Sequence, residues 1–242
     1  MKNKIYINVA VNGDVNNILR KLLERIDTSA LYDYVDEINL IVNGDRTLLK
    51  VNERPKYNFF YENDDSKKCE FPTLNKIWND SKQSEFNVLY LHTKGAFRNN
   101  KNIQDWTEYL TYFNIERWKC IIEYLKKYDA VGVNLWKNSP LMNQQLLKVG
   151  IPSKELGLRH FSGNFWWAKS DYIKKLPKPD SLFNRDYSNI RKMRKVYRYM
   201  AEAWIGAGKH GENLKSVFHS MCNHYWENFP RSKYENIEWE KI

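Results

Sequence analysis

Cysteine is scarce in this chain. Cys69, Cys120 and Cys222 are three among 242 residues, far apart and in no Cys-x-x-Cys spacing, so neither a disulfide framework nor a thiolate zinc site is indicated. Long apolar runs are missing too: nothing approaches the ~20 consecutive apolar residues of a membrane span. Met1 to Val11 lacks the apolar stretch and cleavage site of a signal peptide. A soluble, cytoplasmic protein with no membrane span is expected. No linker rich in Pro, Gly or Ser divides the chain, and it holds no internal repeat or low-complexity tract. A single domain over 1–242 is therefore expected.

What is present is basic and aromatic. Lys and Arg number 39 against 29 Asp and Glu, a net charge of +10, which favours polyanions, nucleotide diphosphates or anionic surfaces as partners. Aromatic residues make up 15% of the chain, nine of them Trp. Flat rings can stack on sugars or bases, although most serve the core.

Periodicity gives the organisation. Ile5 to Val11 is a β-branched run ending at Asn12-Gly13, and Asp14 is placed to cap a helix with apolar Val15, Ile18, Leu19, Leu22, Leu23 and Ile26. Ile38 to Val42 and Tyr57 to Tyr61 read as strands, and Pro72 opens a short helix. Asn87 to Leu91 reads as a buried strand, followed by one long helix carrying Trp106, Leu110, Phe113, Trp118 and Ile121. Ala130 to Leu135 and Phe161 to Ala168 read as further strands, and a basic helix runs from about Ile190 to Ile205. Short apolar strands alternating with helices predict an α/β protein: a Rossmann-like, mostly parallel sheet with helices on both faces. Ligands of such sheets gather at the carboxyl ends of the strands.

Four segments invite a chemical reading. Gly206-Ala207-Gly208-Lys209-His210-Gly211 matches G-x-G-x-x-G, but it follows a helix rather than a strand and reads as a glycine-rich helix stop. His92-Thr93-Lys94-Gly95 sits at the end of a central strand, where Lys94 can neutralise a diphosphate and Gly95 lets backbone approach; a solvated lead-in to the next helix would look the same. In His160-Phe161-Ser162-Gly163-Asn164-Phe165-Trp166-Trp167, strand alternation puts one Trp in the core and leaves the other to face a cleft as a stacking platform. His160 and Asn164 can bond sugar hydroxyls there, or serve as structural hydrogen-bonders. Glu202, between Ala201 and Ala203, is costly unless paired or used. It reads as a general base, or as the partner of Arg198 one turn earlier.

Taken together, His-Thr-Lys-Gly, the Val-Gly-Val-Asn strand, Ser-Gly-Asn-Phe-Trp-Trp-Ala and Ala-Glu-x-Trp-Ile-Gly resemble GT-A-type glycosyltransferases of large DNA viruses and bacterial polysaccharide gene clusters. The resemblance runs from about Val88 to Gly206. It implies a nucleotide-sugar-binding half over 1–135 and an acceptor-side half over 136–242. In such enzymes an Asp-x-Asp usually holds Mn²⁺ or Mg²⁺ against the donor diphosphate. No Asp-x-Asp occurs in this sequence, and His92-Thr93-Lys94 stands in its place. No cofactor is therefore expected, a divalent metal being possible only through a substitute such as Asp64-Asp65.

The resemblance also distributes roles. Val11, Asn12, Asp14, Asp45, His92, Thr93, Lys94, Gly95 and Arg185 would bind the donor. His160, Ser162, Gly163, Asn164, Trp166, Trp167 and Trp204 would face the sugar and acceptor. Glu202 and Lys94 would be catalytic, Glu202 as base and Lys94 as cation, with Arg185, Arg191 or Arg194 assisting. The expected partners are a nucleotide-sugar donor and a glycan or glycoprotein acceptor, with transfer inverting and metal-independent; a retaining transfer is the alternative if Glu202 is structural. The rival from another class is a basic nucleic-acid-binding protein. No helix-turn-helix, zinc-finger or RNA-binding motif supports it, and no nucleic acid partner is expected.

Overall fold

The computed structural model describes residues 1–63, 68–98, 100–137, 158–182, 194–208 and 213–237. Its strands are β1 (Lys2–Ala10), β2 (Glu37–Asn43), β3 (Tyr57–Asn63), β4 (Phe86–His92), β5 (Ala130–Gly132), β6 (Leu135–Lys137), β7 (Arg159–Phe161), β8 (Trp166–Lys169) and β9 (Leu214–Ser216). Seven form one sheet in the order β3-β2-β1-β4-β8-β5-β9, while β6 and β7 pair separately. Only β8 runs against its neighbours in the main sheet, antiparallel to both β4 and β5. The mostly parallel α/β architecture expected from the sequence is the one observed. The sheet draws strands from both halves of the chain.

Helices cover both faces because successive strand residues alternate between them. Ile5, Ile7, Val9, Leu89, Leu91 and Trp167 join α1 (Val15–Thr28), α4 (Lys101–Thr111) and α5 (Trp118–Leu125) in one core cluster. Tyr6, Val88, Tyr90, Trp166 and Ala168 join α3 (Phe71–Ser81), α6 (Ser170–Ile173) and α7 (Arg194–Ala203) in the other. A short α2 (Leu31–Tyr34) precedes β2. Among the described residues no helix is long and apolar enough to cross a membrane.

Three departures from the periodicity shape the site. The single long helix is two, α4 and α5, separated by a π-helical turn at Tyr112–Glu116. There the Arg117 N–H reaches back to the Tyr112 carbonyl at 3.0 Å, and the Asn114 carbonyl instead accepts the Trp167 indole N–H at 2.9 Å. Such single-turn insertions shift helix phase without breaking the helix, so apolar spacing does not reveal them. The strand read through Leu135 stops at Gly132, because Asn134 is left-handed, φ 49, and turns the chain into the small sheet. Phe161 to Ala168 is likewise not one strand: Gly163 (φ 88) and Asn164 (φ 55) make a turn between β7 and β8. Strand β9, only Leu-Lys-Ser, carries no apolar alternation to announce it.

Gly206 does more than stop a helix. It pairs with Arg159 as an isolated bridge, and a Cβ there would lie 1.9 Å from the Arg159 carbonyl oxygen. The rest of that glycine-rich string, from Lys209, lies outside the described residues. Gly206→Ala must push α7 away from β7 and is expected to cost about 1–3 kcal/mol, the usual penalty of overpacking. Urea unfolding measures it; unchanged stability would mean that this crossing tolerates displacement.

Candidate functional site

The carboxyl ends of β1, β2 and β4 are knitted together by their loops. Thr93 N–H donates to the Asn8 carbonyl at 3.1 Å, and Asp14 N–H to the Ala96 carbonyl at 2.9 Å. Ala10 N–H donates to Thr93 Oγ1 at 3.3 Å. Val11 N–H donates to the Asn43 carbonyl at 2.8 Å. Gly13 (φ 51) is required here, since a Cβ would stand 2.0 Å from the Ala96 oxygen. The structure thus brings Val11, Asn12, Asp14, Thr93, Lys94 and Gly95 to one edge of the sheet, with Asp45 at the adjoining end of β2. Asp14 is the N-cap residue of α1 but makes no cap hydrogen bond; its carboxylate accepts from the Asn17 amide at 2.9 Å. Asp45 caps a turn, accepting from Thr47 N–H at 2.9 Å and Thr47 Oγ1 at 2.7 Å. Those bonds hold its carboxyl below the usual range.

Beyond that edge lies a cluster of four charges. Lys94 is 5% exposed and Glu70, the N-cap residue of α3, 4%. On α7, Glu202 is partly exposed and Arg198 exposed. Burial and the Arg198 charge push the Lys94 ammonium down to about 8, against the pull of Glu202 and Glu70. Burial raises the Glu202 carboxyl above the ordinary range, opposed by Lys94 and reinforced by the neighbouring Glu70. Burial also raises Glu70, opposed first by its Tyr90 hydrogen bond and then by Arg198. Burial would lower Arg198, but Glu202 and Glu70 hold it above its usual value. His160, 7% exposed, lies within reach of the Glu202 charge and is lowered by burial. Its Nε2 lies 3.5 Å from the Tyr199 hydroxyl, and its Nδ1 has no hydrogen-bond partner among the described residues. Pairs of carboxylates and cations whose environments move their pKa values in opposite directions are characteristic of reaction sites.

Several candidates do structural work instead. Asn164 spends its amide group, donating to Glu70 and accepting the Trp166 indole N–H at 2.7 Å. Trp166 and Trp167 do face opposite sides of the sheet, but they are 1% and 0% exposed, so neither is an open stacking platform. The reason is that β8 is an interior strand with a helix layer on each face. Trp204 is 0% exposed, and its indole donates to the Pro177 carbonyl at 2.9 Å; it too is core rather than a sugar contact. His92 Nε2 lies 3.0 Å from the Gly163 carbonyl and so donates to it, tying the Lys94 loop to the Gly163 turn. Burial holds this ring well below its usual pKa, neutral. Ser162 N–H donates to the Asn134 carbonyl at 3.0 Å. Arg185, Arg191, Asp64 and Asp65 lie outside the described residues, as does the side chain of Arg194.

Sequence reasoning misses Glu70. It precedes Phe71-Pro72 as an ordinary helix lead-in residue, and only the fold puts it under Tyr90, whose hydroxyl donates to it at 2.7 Å. The one available signal is a carboxylate directly before a Phe-Pro pair. Beside the Lys94 loop a cleft of about 380 Å³ opens between α1 and α4, lined in part by His92, Lys94, Gly95 and Asp105. Tyr90→Phe removes a hydrogen bond to a buried carboxylate and is expected to cost about 1.5–3 kcal/mol where Glu70 is ionised. It also raises the Glu70 pKa further. Because Glu70 is charged only above a raised pKa, urea unfolding should show a larger loss at pH 8 than at pH 5. Equal losses at both would mean that Glu70 does not change protonation between them.

Comparison with curated proteins finds no match. Among solved structures, the chain is similar to the crystal structure of 4-diphosphocytidyl-2C-methyl-D-erythritol synthase from Anaerococcus prevotii. The two share 13% identity and a TM-score of 0.45, over 97% of this chain and 94% of that one. A family model matches residues 3–213, and by that match the chain belongs to the family described as Domain of unknown function (DUF8361).

Proposed function

We propose that this protein is a GT-A-like glycosyltransferase that moves a sugar from a nucleotide-diphosphate-sugar donor to a hydroxyl of a glycan acceptor, with inversion. The observation that carries this reading is the convergence of Lys94, Arg198, Glu202 and His160 just beyond the carboxyl end of β4. Two cations there suit a leaving diphosphate, and a carboxylate with a raised pKa suits an acceptor hydroxyl. Glu202 takes the hydroxyl proton. The acceptor oxygen forms a bond to the anomeric carbon while the bond from that carbon to the diphosphate oxygen breaks, its electron pair leaving with the diphosphate. Lys94 and Arg198 offset the charge that develops, in surroundings where preorganised cations count for more than in water. The Val11–Asp14 loop and Asp45 flank the edge where the nucleoside would lie.

The residues at the Asp-x-Asp position do not fit a divalent cation. An ammonium stands at Lys94, and the carboxylates that act on it, Glu70 and Glu202, are each engaged by the charges of Lys94 and Arg198. The reaction is therefore written without a metal. A nucleic-acid-binding role is less favoured, because the cations of the cluster face carboxylates rather than forming a broad positive surface.

Thermal-shift measurements with nucleotide sugars, nucleotide diphosphates and oligonucleotides test the class directly, since a ligand specific to the folded state raises its apparent stability. Stabilisation by oligonucleotides alone would sink the transferase reading. Glu202→Gln is expected to slow transfer by about 10²–10⁴-fold, the usual worth of a general base, while donor affinity holds. Near-normal turnover would remove Glu202 from the mechanism.

The pH profile should be bell-shaped. Transfer rises as Glu202 loses its proton, above the ordinary carboxylate range, and falls as Lys94 loses its own near pH 8. Glu202→Gln should remove the acid limb, and an alkaline limb unchanged in Lys94→Arg would assign it to another group. Lys94→Ala should weaken nucleotide diphosphate by about 1.5–3 kcal/mol, the worth of a charged hydrogen bond, and leave free nucleoside unaffected. Calorimetry in excess chelator and again with Mn²⁺ checks this. Wild-type binding seen only with Mn²⁺ would place a metal in the reaction.

A further inference from the structure

The Lys94 ammonium rests on an aromatic ring, with Nζ 3.5 Å from the centroid of Trp106. That ring is 2% exposed and is itself held by residues far along the chain. His224 stacks on it at 5.4 Å and 8°, and Tyr225 meets it edge-on at 4.9 Å and 74°. His224 is fixed in turn. Its other stacking partner is Tyr109, at 5.1 Å and 28°, and its Nε2 lies 2.6 Å from Ser220 Oγ. Ser220 is anchored to Asn134, which accepts from the Ser220 N–H at 2.7 Å and donates from Nδ2 to Ser220 Oγ at 2.8 Å. The residues that hold the ring from this side, Ser220 to Tyr225, all lie beyond 213, where the family match ends.

We propose that the segment Ser220–Tyr225 is a positioning element of the site, holding the Trp106 ring under the Lys94 ammonium and so setting where that cation stands. The ring face attracts the cation, and this attraction strengthens when water is excluded. His224 and Tyr225 supply the exclusion on the side of Trp106. The charges that face Lys94 come from elsewhere: Arg198 and Glu202 on α7 and Glu70 before α3. His92 on β4 and His224 also feel its charge, and burial lowers both rings, His224 to about 4. Both are therefore neutral near pH 7, and neither repels the ammonium. The functional consequence rests on the reading of Lys94 as the diphosphate cation; the seat itself does not.

The test is an NMR titration of the Lys94 side chain in the full-length protein, assigned by Lys94→Arg, together with calorimetric binding of inorganic pyrophosphate. Wild type, His224→Ala, Tyr225→Ala, Trp106→Leu and Trp106→Phe are compared, with Trp226→Ala as a neighbouring control that is 81% exposed in the wild type. In His224→Ala and Tyr225→Ala, water reaches the ammonium, and its midpoint should rise from about 8 toward that of an ordinary lysine. In Trp106→Leu the apolar cover stays but the ring attraction is lost, so the midpoint should fall. Pyrophosphate should weaken about thirtyfold, the size of a cation–π attraction at a desolvated site. Trp106→Phe, which keeps a ring, should restore most of both, and Trp226→Ala should change neither. Should His224→Ala fail to fold, Tyr225→Ala decides, because that side chain is 49% exposed. An unchanged Lys94 midpoint and unchanged pyrophosphate affinity in the folded variants would overturn the proposal. A shifted midpoint in a protein whose wild type binds no pyrophosphate would uphold the seat and overturn the diphosphate reading instead.

Discussion

Keeping a lysine ammonium out of water is the constraint on which the rest of this site depends. Burial costs an isolated ion several kcal/mol even after the protein relaxes around it, and Lys94 is 5% exposed. What offsets that cost is distributed over the whole fold: the Trp106 ring from α4, carboxylates from the lead-in to α3 and from α7, and a loop fixed by backbone bonds to β1. Each carboxylate in turn needs cations. Glu70 and Glu202 are both raised by burial and both relieved by Lys94 and Arg198. Removing any one charge leaves the others unbalanced, which gives the cluster its cooperativity and makes it dependent on a shared geometry.

That geometry comes from turns more than from strands. Gly163 and Asn164, both left-handed, reverse the chain between β7 and β8. The reversal puts the Asn164 amide on Glu70 and the Gly163 carbonyl on His92. A side chain on Gly163 would collide with Leu110 at 2.6 Å and approach the Trp106 indole at 3.1 Å. One turn therefore touches the carboxylate, the strand that carries the Lys94 loop, and the ring beneath the ammonium. The Ser-Gly-Asn-Phe-Trp segment matters to the site as its joint rather than as a surface that meets the ligand.

The parallel half of the sheet was legible because β1, β2, β3 and β4 are apolar runs punctuated by Asn-Gly turns and helix periodicity. The layers on each face followed from that pattern. The turn at Gly163 was not legible, since Phe, Trp and Ala on either side of it carry the composition of a continuous strand. Nor was the π turn after α4, whose extra residue leaves the apolar spacing nearly intact. In the site, Lys94 stood out because it follows a buried strand, and Glu202 because its neighbours are apolar. Glu70 did not, because its burial is imposed by Tyr90 and Asn164, at sequence separations of 20 and 94 residues. Trp166, Trp167 and Trp204 misled for the converse reason: Trp suits a sugar platform and a packed core equally well, and only burial distinguishes them.

On the proposed reaction, the balance of charge in the cluster explains why Glu202 and not Glu70 would be the base. Both carboxylates are raised by burial, so burial alone does not distinguish them. Glu70, however, already accepts two hydrogen bonds, from Tyr90 and Asn164, which favour its ionised form. Both reach Oε2, on a residue that is 4% exposed. Glu202 is partly exposed, and the His160 ring lies within its field. Glu70, by raising Glu202 electrostatically, brings that second carboxylate closer to the pH at which a general base works best. The division of labour is then one between a carboxylate held by the protein to tune its neighbour and a carboxylate left open to accept a proton from outside.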